Sequence, residues 1–401
     1  MLRLVLNIIF FLASLLCIFA APTFRLWIFS IAISEFCWVF VLVSALLLTW
    51  SIAKKRFQKI NLTLATVSFI TFSIPIVLAY KISRSLPTEL ASKLGGAANK
   101  ESVFSLTKIF SRTPLLSYET LKYSQAGGED LTLDYYQSAK NGKRPCVIVI
   151  HGGSWRGGNS QQLPELNSEL ARQGFQVVSV NYRLAPKYKS PAPLEDIAAA
   201  IRYLKSHSRE LKIDTNNFIL LGRSAGAQLA LVAAYTLPTE NIRGVVNFYG
   251  PTDMVFGYTD PASHFVMDSR KVLEDYLGGP YSKVPQNYVS SSPVEVLSHS
   301  RHSVPTLIIH GRNDALVSIA HGERLDQRLA AAHIPHFMLA LPWATHGCDY
   351  TLNGPSGQLT TYAVEYFAKT VVKPLDLDIQ ISSSAKVEKS SVPEVFGSSG
   401  N

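Results

Sequence analysis

The stretch Phe218–Gly226 constrains this chain most tightly. An apolar run, F-I-L-L, ends in Gly222-Arg223-Ser224-Ala225-Gly226, and a small-residue helical pattern, A-Q-L-A-L-V-A-A-Y, begins at once. The pattern predicts a strand, a sharp turn and a helix. A serine on such a turn is held in a strained backbone conformation, and glycines flank it because a side chain at either position would collide with the neighbouring strand or helix. Gly-x-Ser-x-Gly by itself recurs by chance, so its surroundings decide what it means.

Those surroundings alternate. Between Thr113 and Lys373 short apolar runs read as strands at 131–136, 145–150, 176–182, 218–221, 244–249, 305–310 and 337–341. Helical patterns fall at 162–173, 193–207, 225–236, 320–332 and 358–373. This order predicts an α/β domain with a mostly parallel sheet covered on both faces, whose chemistry belongs at the carboxyl ends of the strands. Three such ends carry suitable residues. The run V-I-V-I is followed by His151-Gly152-Gly153-Ser154-Trp155, a glycine-rich turn whose backbone N–H groups can face a developing oxyanion. The run T-L-I-I-H leads to Gly311-Arg312-Asn313-Asp314, and F-M-L-A-L leads to Trp343-Ala344-Thr345-His346. The order Ser224, Asp314, His346 is that of one serine-triad scaffold. Asp253, in Tyr249-Gly250-Pro251-Thr252-Asp253, competes with Asp314 for the acid, but in a Gly-Pro turn it reads better as a local hydrogen-bond acceptor.

The first eighty residues differ in kind. Leu2–Ala20, Leu26–Ala53 and Leu62–Tyr80 are nearly uncharged and approach or exceed the ~18–20 residues that cross a bilayer as helix, so residues 1–84 read as a three-helix transmembrane anchor. They also raise the hydrophobic share of the whole chain to 47%. A cleaved leader fits the first stretch poorly, because the residue two before a cut near Ala20 or Ala21 is Ile18 or Phe19, not a small one. Eight Lys or Arg against Glu35 give this region +7 of the chain's +9, which leaves no electrostatic case for a nucleic-acid partner. The cluster Lys54-Lys55-Arg56 with Lys59 places its loop, and with it the N-terminus, in the cytoplasm. Three crossings then put the catalytic domain outside the cytoplasm, in the periplasm of a bacterium. Glu35 reads as a residue near a helix end or facing a sibling helix. Residues 85–112 read as a juxtamembrane linker with a short helix, 251–304 as a small cap or lid, and the serine-rich 374–401 as a disordered tail. Four cysteines are too few for a disulfide framework and read as free thiols.

Over about Thr113–Lys373 the chain resembles the α/β-hydrolase fold. Within it, the chain is similar to carboxylesterases of the hormone-sensitive-lipase-like group and to small acyl esterases with an H-G-G-x-W turn. The residues that carry the likeness are H-G-G-S-W at 151–155, N-Y-R-L-A-P at 181–186 with P-A-P-L-E-D at 191–196, G-R-S-A-G at 222–226, and H-G-R-N-D-A-L-V at 310–317. A helical anchor before G-x-S-A-G-A is also similar to prenylcysteine methylesterases. Ser154 stands where the lipase-like group has a third glycine, and Arg223 precedes the serine. The resemblance implies hydrolysis of a small-molecule ester, hydrophobic or lipid-like if the membrane presents it, through an acyl group on Ser224. It implies His346 as base, Asp314 as its orienting acid, and the amides of Gly152, Gly153 and Ala225 as the oxyanion hole, with no cofactor and no metal. Trp155 and Arg223 are candidates for the pocket wall, while Arg183 and Asp196 read as a structural pair. A serine peptidase or an acyltransferase on the same fold remains open, although no blade repeats accompany the domain. A non-catalytic binding or adhesion module is the alternative from another class.

Overall fold

The structure is a computed structural model describing residues 1–98, 102–237, 240–300 and 302–372. The chain begins with four apolar helices: α1 (Leu2–Ser14), α2 (Phe24–Glu35), α3 (Cys37–Ala53) and α4 (Gln58–Leu94). Three continuous spanning helices do not form. Helix α1 and the 3-10 turn Leu15–Cys17 that follows it cover ~24 Å at 1.5 Å per residue, short of a ~30 Å hydrocarbon core. The second apolar stretch breaks at Phe36, and α2 meets α3 at 83°. Hydropathy is blind to this break because the residue that leaves the helical conformation, Phe36 with φ −111° and ψ 30°, is itself apolar. Among the described residues only α4 is long and apolar enough to cross a membrane as one helix, or two segments if the bent pair counts as one. Helix α4 also runs past Arg84 to Leu94, so no break in the chain falls between the apolar region and the segment read as a linker.

The rest of the chain builds one eight-stranded sheet from β1 (Glu119–Ala126), β2 (Glu129–Tyr136), β3 (Arg144–Ile150), β4 (Gln176–Val180), β5 (Ile213–Arg223), β6 (Ile242–Phe248), β7 (Thr306–Gly311) and β8 (His336–Leu341). Their order is β1-β2-β4-β3-β5-β6-β7-β8, antiparallel at β1-β2 and β2-β4 and parallel from β4 onward. Strand β1 escapes a search for apolar runs because its sequence, E-T-L-K-Y-S-Q-A, is that of a half-exposed edge.

Alternate residues of the central strands face opposite cores, as the period of a strand requires. Ile148, Ile150 and Leu220 pack with α6 (Ala192–Ser206), α7 (Ala225–Thr236) and α12 (Ala320–Ala331). Val147, Val149, Ile219 and Leu221 pack with α5 (Pro164–Arg172) and α13 (Pro355–Val371). This second core also takes in Ala79, Leu86 and Leu90, so the far half of α4 is a layer of the sheet domain. The described residues of 251–304 include four short helices, α8 (Met254–Thr259), α9 (Ser269–Leu277), α10 (Pro285–Ser290) and α11 (Pro293–His299). The stretch read as a tail, 374–401, lies outside the described residues.

Candidate active site

Parallel pairing aligns Ile150, Gly222 and Asn247 across three neighbouring strands, so the loops that follow them meet at one edge of the sheet. Ser224 stands there with φ 52° and ψ −120°, the strained conformation that the strand–turn–helix pattern implied. Both flanking glycines are demanded by packing. A β-carbon on Gly222 would strike the backbone of Gly226 and Ala227, and one on Gly226 would strike the carbonyls of Ile150 and His151.

The structure brings Ser224, His346 and Asp314 together. His346 Nε2 lies 3.0 Å from Ser224 Oγ, and its Nδ1 lies 2.7 Å from Asp314 Oδ2. An ionised carboxylate can only accept, so Nδ1 carries the proton and Nε2 is free to accept the serine's. Asp314 is buried; its Oδ1 accepts from the amides of Leu316 and Val317 at 2.9 Å each, and His310 Nε2 stands 3.3 Å from Oδ2. Burial would raise this carboxyl, but the imidazoles of His346 and His310 outweigh it and hold Asp314 well below the usual carboxylate range. Asp253 is occupied elsewhere: it caps α8 through Phe256 N at 2.9 Å and takes Arg324 on Oδ2 at 2.7 Å.

The turn after β3 needs correction at one residue. Gly152 N donates to Gln162 Oε1 at 2.7 Å, so this amide is already engaged, and Gly153 and Ala225 remain of the three expected donors. Gly153, Ser154 and Trp155 all have positive φ, 122°, 55° and 56°, and wind the backbone tightly beside the serine. Nothing in the sequence singles out Gln162, which reaches the turn only through tertiary folding.

Trp155 does line the cavity next to Ser224, yet it is buried. Its ring stacks on Tyr276 at 4.3 Å and its Nε1 donates to Gln228 Oε1 at 3.0 Å. Arg223 is not on the cavity wall. It points into the interior, pairs with Asp349 at 2.5 Å and lies over the Phe248 ring, and Tyr249 OH donates to the other oxygen of Asp349. Arg183 and Asp196 form the structural pair, with Arg183 Nε 2.9 Å from the Asp196 carboxylate. The cavity encloses about 140 Å³ and is walled by Met267, Val272, Leu273, Leu316 and Val317. Away from this wall, Tyr258, Tyr281 and Tyr288 pack on one another. Among the described residues no group of three or more His, Cys, Asp or Glu is placed to hold a metal ion.

The N-terminal helices also reach this site, which sequence reasoning missed. Trp27 Nε1 donates to the His346 carbonyl at 3.0 Å, and Asn313 Nδ2 donates to the Cys17 carbonyl at 3.2 Å. Glu35 accepts from Ser356 N at 3.3 Å, and so faces the sheet domain.

Comparison with known proteins agrees with this architecture. The BD-FAE family model matches residues 133–329. The chain is 30% identical over 247 residues to the probable carboxylic ester hydrolase LipM of Mycobacterium tuberculosis, a match spanning 57% of this chain and 55% of that protein. Esterase LipC of the same organism is 28% identical over 241 residues, covering 57% and 58%. The chain thus spans a little over half the length of these curated relatives. Among solved structures, a bacterial heroin esterase superposes with a TM-score of 0.56 at 20% identity, over 73% of this chain and 93% of that one. An esterase of Pyrobaculum calidifontis does so with 0.55 at 20% identity, over 74% and 94%. At such identities the likeness speaks for the fold. Residues 133–329 are therefore similar to the BD-FAE family, and the chain has an α/β-hydrolase fold.

Proposed function

We propose that this protein is a membrane-anchored serine hydrolase that cleaves carboxylic esters through an acyl-enzyme. One observation carries the reading: Ser224 Oγ, the His346 ring and the Asp314 carboxylate lie in a continuous hydrogen-bonded line beside an apolar cavity. An alcohol is a poor nucleophile until a base removes its proton. His346 Nε2 takes that proton as Oγ attacks the ester carbon, and Asp314 stabilises the imidazolium that results. The amides of Gly153 and Ala225 hold the oxyanion, each contributing on the order of 3 kcal/mol. His346 then protonates the departing alcohol. Water, deprotonated by the same imidazole, releases the acid and restores Ser224. The acyl group would lie against Met267, Val272 and Leu273.

For the membrane part, we read residues 1–84 as the anchor and 113–373 as the hydrolase domain. Helix α4 would cross the bilayer, with the shorter α1 and α3 packed against it. Arg3 supports this arrangement: its guanidinium reaches the carbonyls of Trp50, Lys54 and Arg56, so the chain start and the basic loop sit at one end. Cys17 lies at the other end, against the hydrolase domain. By the charge rule the basic end is cytoplasmic and the catalytic domain is outside.

Labelling tests the proposal. A fluorophosphonate should modify Ser224 in the full-length protein, and the labelled protein should stay with the membrane through an alkaline wash. Hydrolysis of short p-nitrophenyl esters should vanish in Ser224→Ala. Folded protein that neither labels nor cleaves any ester would end the reading.

A further inference from the structure

The loop that carries His346 is anchored on either side of the histidine: the Ala344 carbonyl accepts from Asn313 N at 3.0 Å, and Asp349 pairs with Arg223. It joins β8 to α13 without regular structure, and the residue after the histidine, Gly347, has φ 87°, a conformation that restrains its neighbour weakly. Catalysis needs the imidazole fixed to within a fraction of an ångström, because a ~1 Å misplacement can cost about a hundredfold in rate. Between those anchors, a group that bonds the main chain of His346 itself adds to that restraint.

Helix α2 lies against the loop. Trp27 Nε1 donates to the His346 carbonyl at 3.0 Å, and the indole meets the imidazole edge-on with ring centres 6.2 Å apart. One turn further on, Ile31 sits on the flexible glycine, so that a β-carbon at Gly347 would stand 3.3 Å from Ile31 Cδ1. At the start of the same helix Phe24 N donates to the Phe265 carbonyl of the cap at 3.1 Å. Just before α2, the Cys17 carbonyl receives Asn313, the neighbour of Asp314, and Ala315 packs with Leu16, Cys17, Ile33 and Phe72. The segment 17–31 therefore touches the acid loop, the base loop and the cap at once. Its other face, with Ile28 and Phe29, is exposed and makes none of these contacts.

We propose that α2 is a working part of the catalytic centre, with Trp27 as the positioning residue that fixes His346. The proposal rests on the ester-hydrolase reading. Trp27 transfers no proton, since indole N–H is a donor only and its acceptor is a backbone carbonyl that does not react. It holds the main chain of the base so that Nε2 stays on Ser224.

Full-length protein carrying Trp27→Phe tests this, because phenylalanine keeps an aromatic ring and loses the donor. With a short, soluble p-nitrophenyl ester and sites counted by fluorophosphonate titration, kcat should fall roughly ten- to a hundredfold with KM within about twofold. The rate of Ser224 phosphonylation should fall with it, while Ile28→Ala on the exposed face of α2 leaves both rates unchanged. A side chain that merely supported the fold would lower the melting temperature and leave kcat per titrated site alone; that result overturns the proposal. So does a rise in KM at constant kcat, which would make Trp27 a substrate wall. Should Trp27→Phe give no folded protein, Ile31→Ala decides by the same split, and an unchanged kcat there overturns the proposal. Wild-type protein that neither labels nor turns over defeats the ester-hydrolase reading itself. An active wild type with an equally active Trp27→Phe defeats only the role of α2.

Discussion

Arg223 shows how much a residue next to the candidate nucleophile can do from the interior. Its guanidinium and the Asp349 carboxylate are each 1% exposed, and Tyr249, whose ring lies 4.4 Å from that of His346, shares the carboxylate. Burial opposes the charge on Arg223, and Asp349 outweighs that opposition, so the guanidinium stays protonated. Breaking a buried pair leaves an uncompensated charge, which costs about 3–5 kcal/mol. Asp349→Asn should therefore destabilise the fold by about that much in denaturant titration, and Arg223→Met with Asp349→Leu should recover part of the loss. Ser224, Asp314 and His346 were legible in the sequence because each follows a strand that its own apolar run announces. Asp349, Gln162 and Trp27 were not, because their roles depend on approaches that no local pattern encodes. Trp27 is 319 positions from the residue it holds.

Elements differ in the same way. The central strands and the helices beside them are long enough to repeat a period, and they appeared close to where the sequence put them. The four short helices α8 to α11 have six, nine, six and seven residues, too few turns to distinguish an amphipathic face from irregular chain. The break between α2 and α3 left no trace in hydropathy for a different reason: an apolar residue made it. At the turn between β5 and α7, by contrast, sequence and packing state one requirement. Gly226→Ala would push a methyl group into the carbonyls of Ile150 and His151, forcing α7 away from β3. Serine labelling should drop at least a hundredfold in that variant, comparable with a displacement of about 1 Å at the nucleophile.

For the molecule as a whole, acid stability follows from two imidazoles kept neutral inside it. Burial lowers His151 to about 4, against a smaller upward pull from its bond to the Gly152 carbonyl. Burial, with the nearby charges of His310 and Arg324, lowers His321 to about 3. Both lie below the ordinary histidine value of about 6.5, so on acidification the unfolded chain takes up protons that the native fold refuses. Their contribution is fully present above about pH 6.5 and is lost as pH falls through about 4, a decline on the order of 1–3 kcal/mol per pH unit. Melting temperature measured from pH 7 to pH 4 should fall steadily, and His151→Gln should flatten the slope. The contact between Trp27 and His346 also has a consequence in time. A ribosome makes the tryptophan 319 positions before the histidine, with the sheet in between. The line of Ser224, His346 and Asp314 is therefore completed only after β8 has been made, later than the apolar helices and the rest of the sheet.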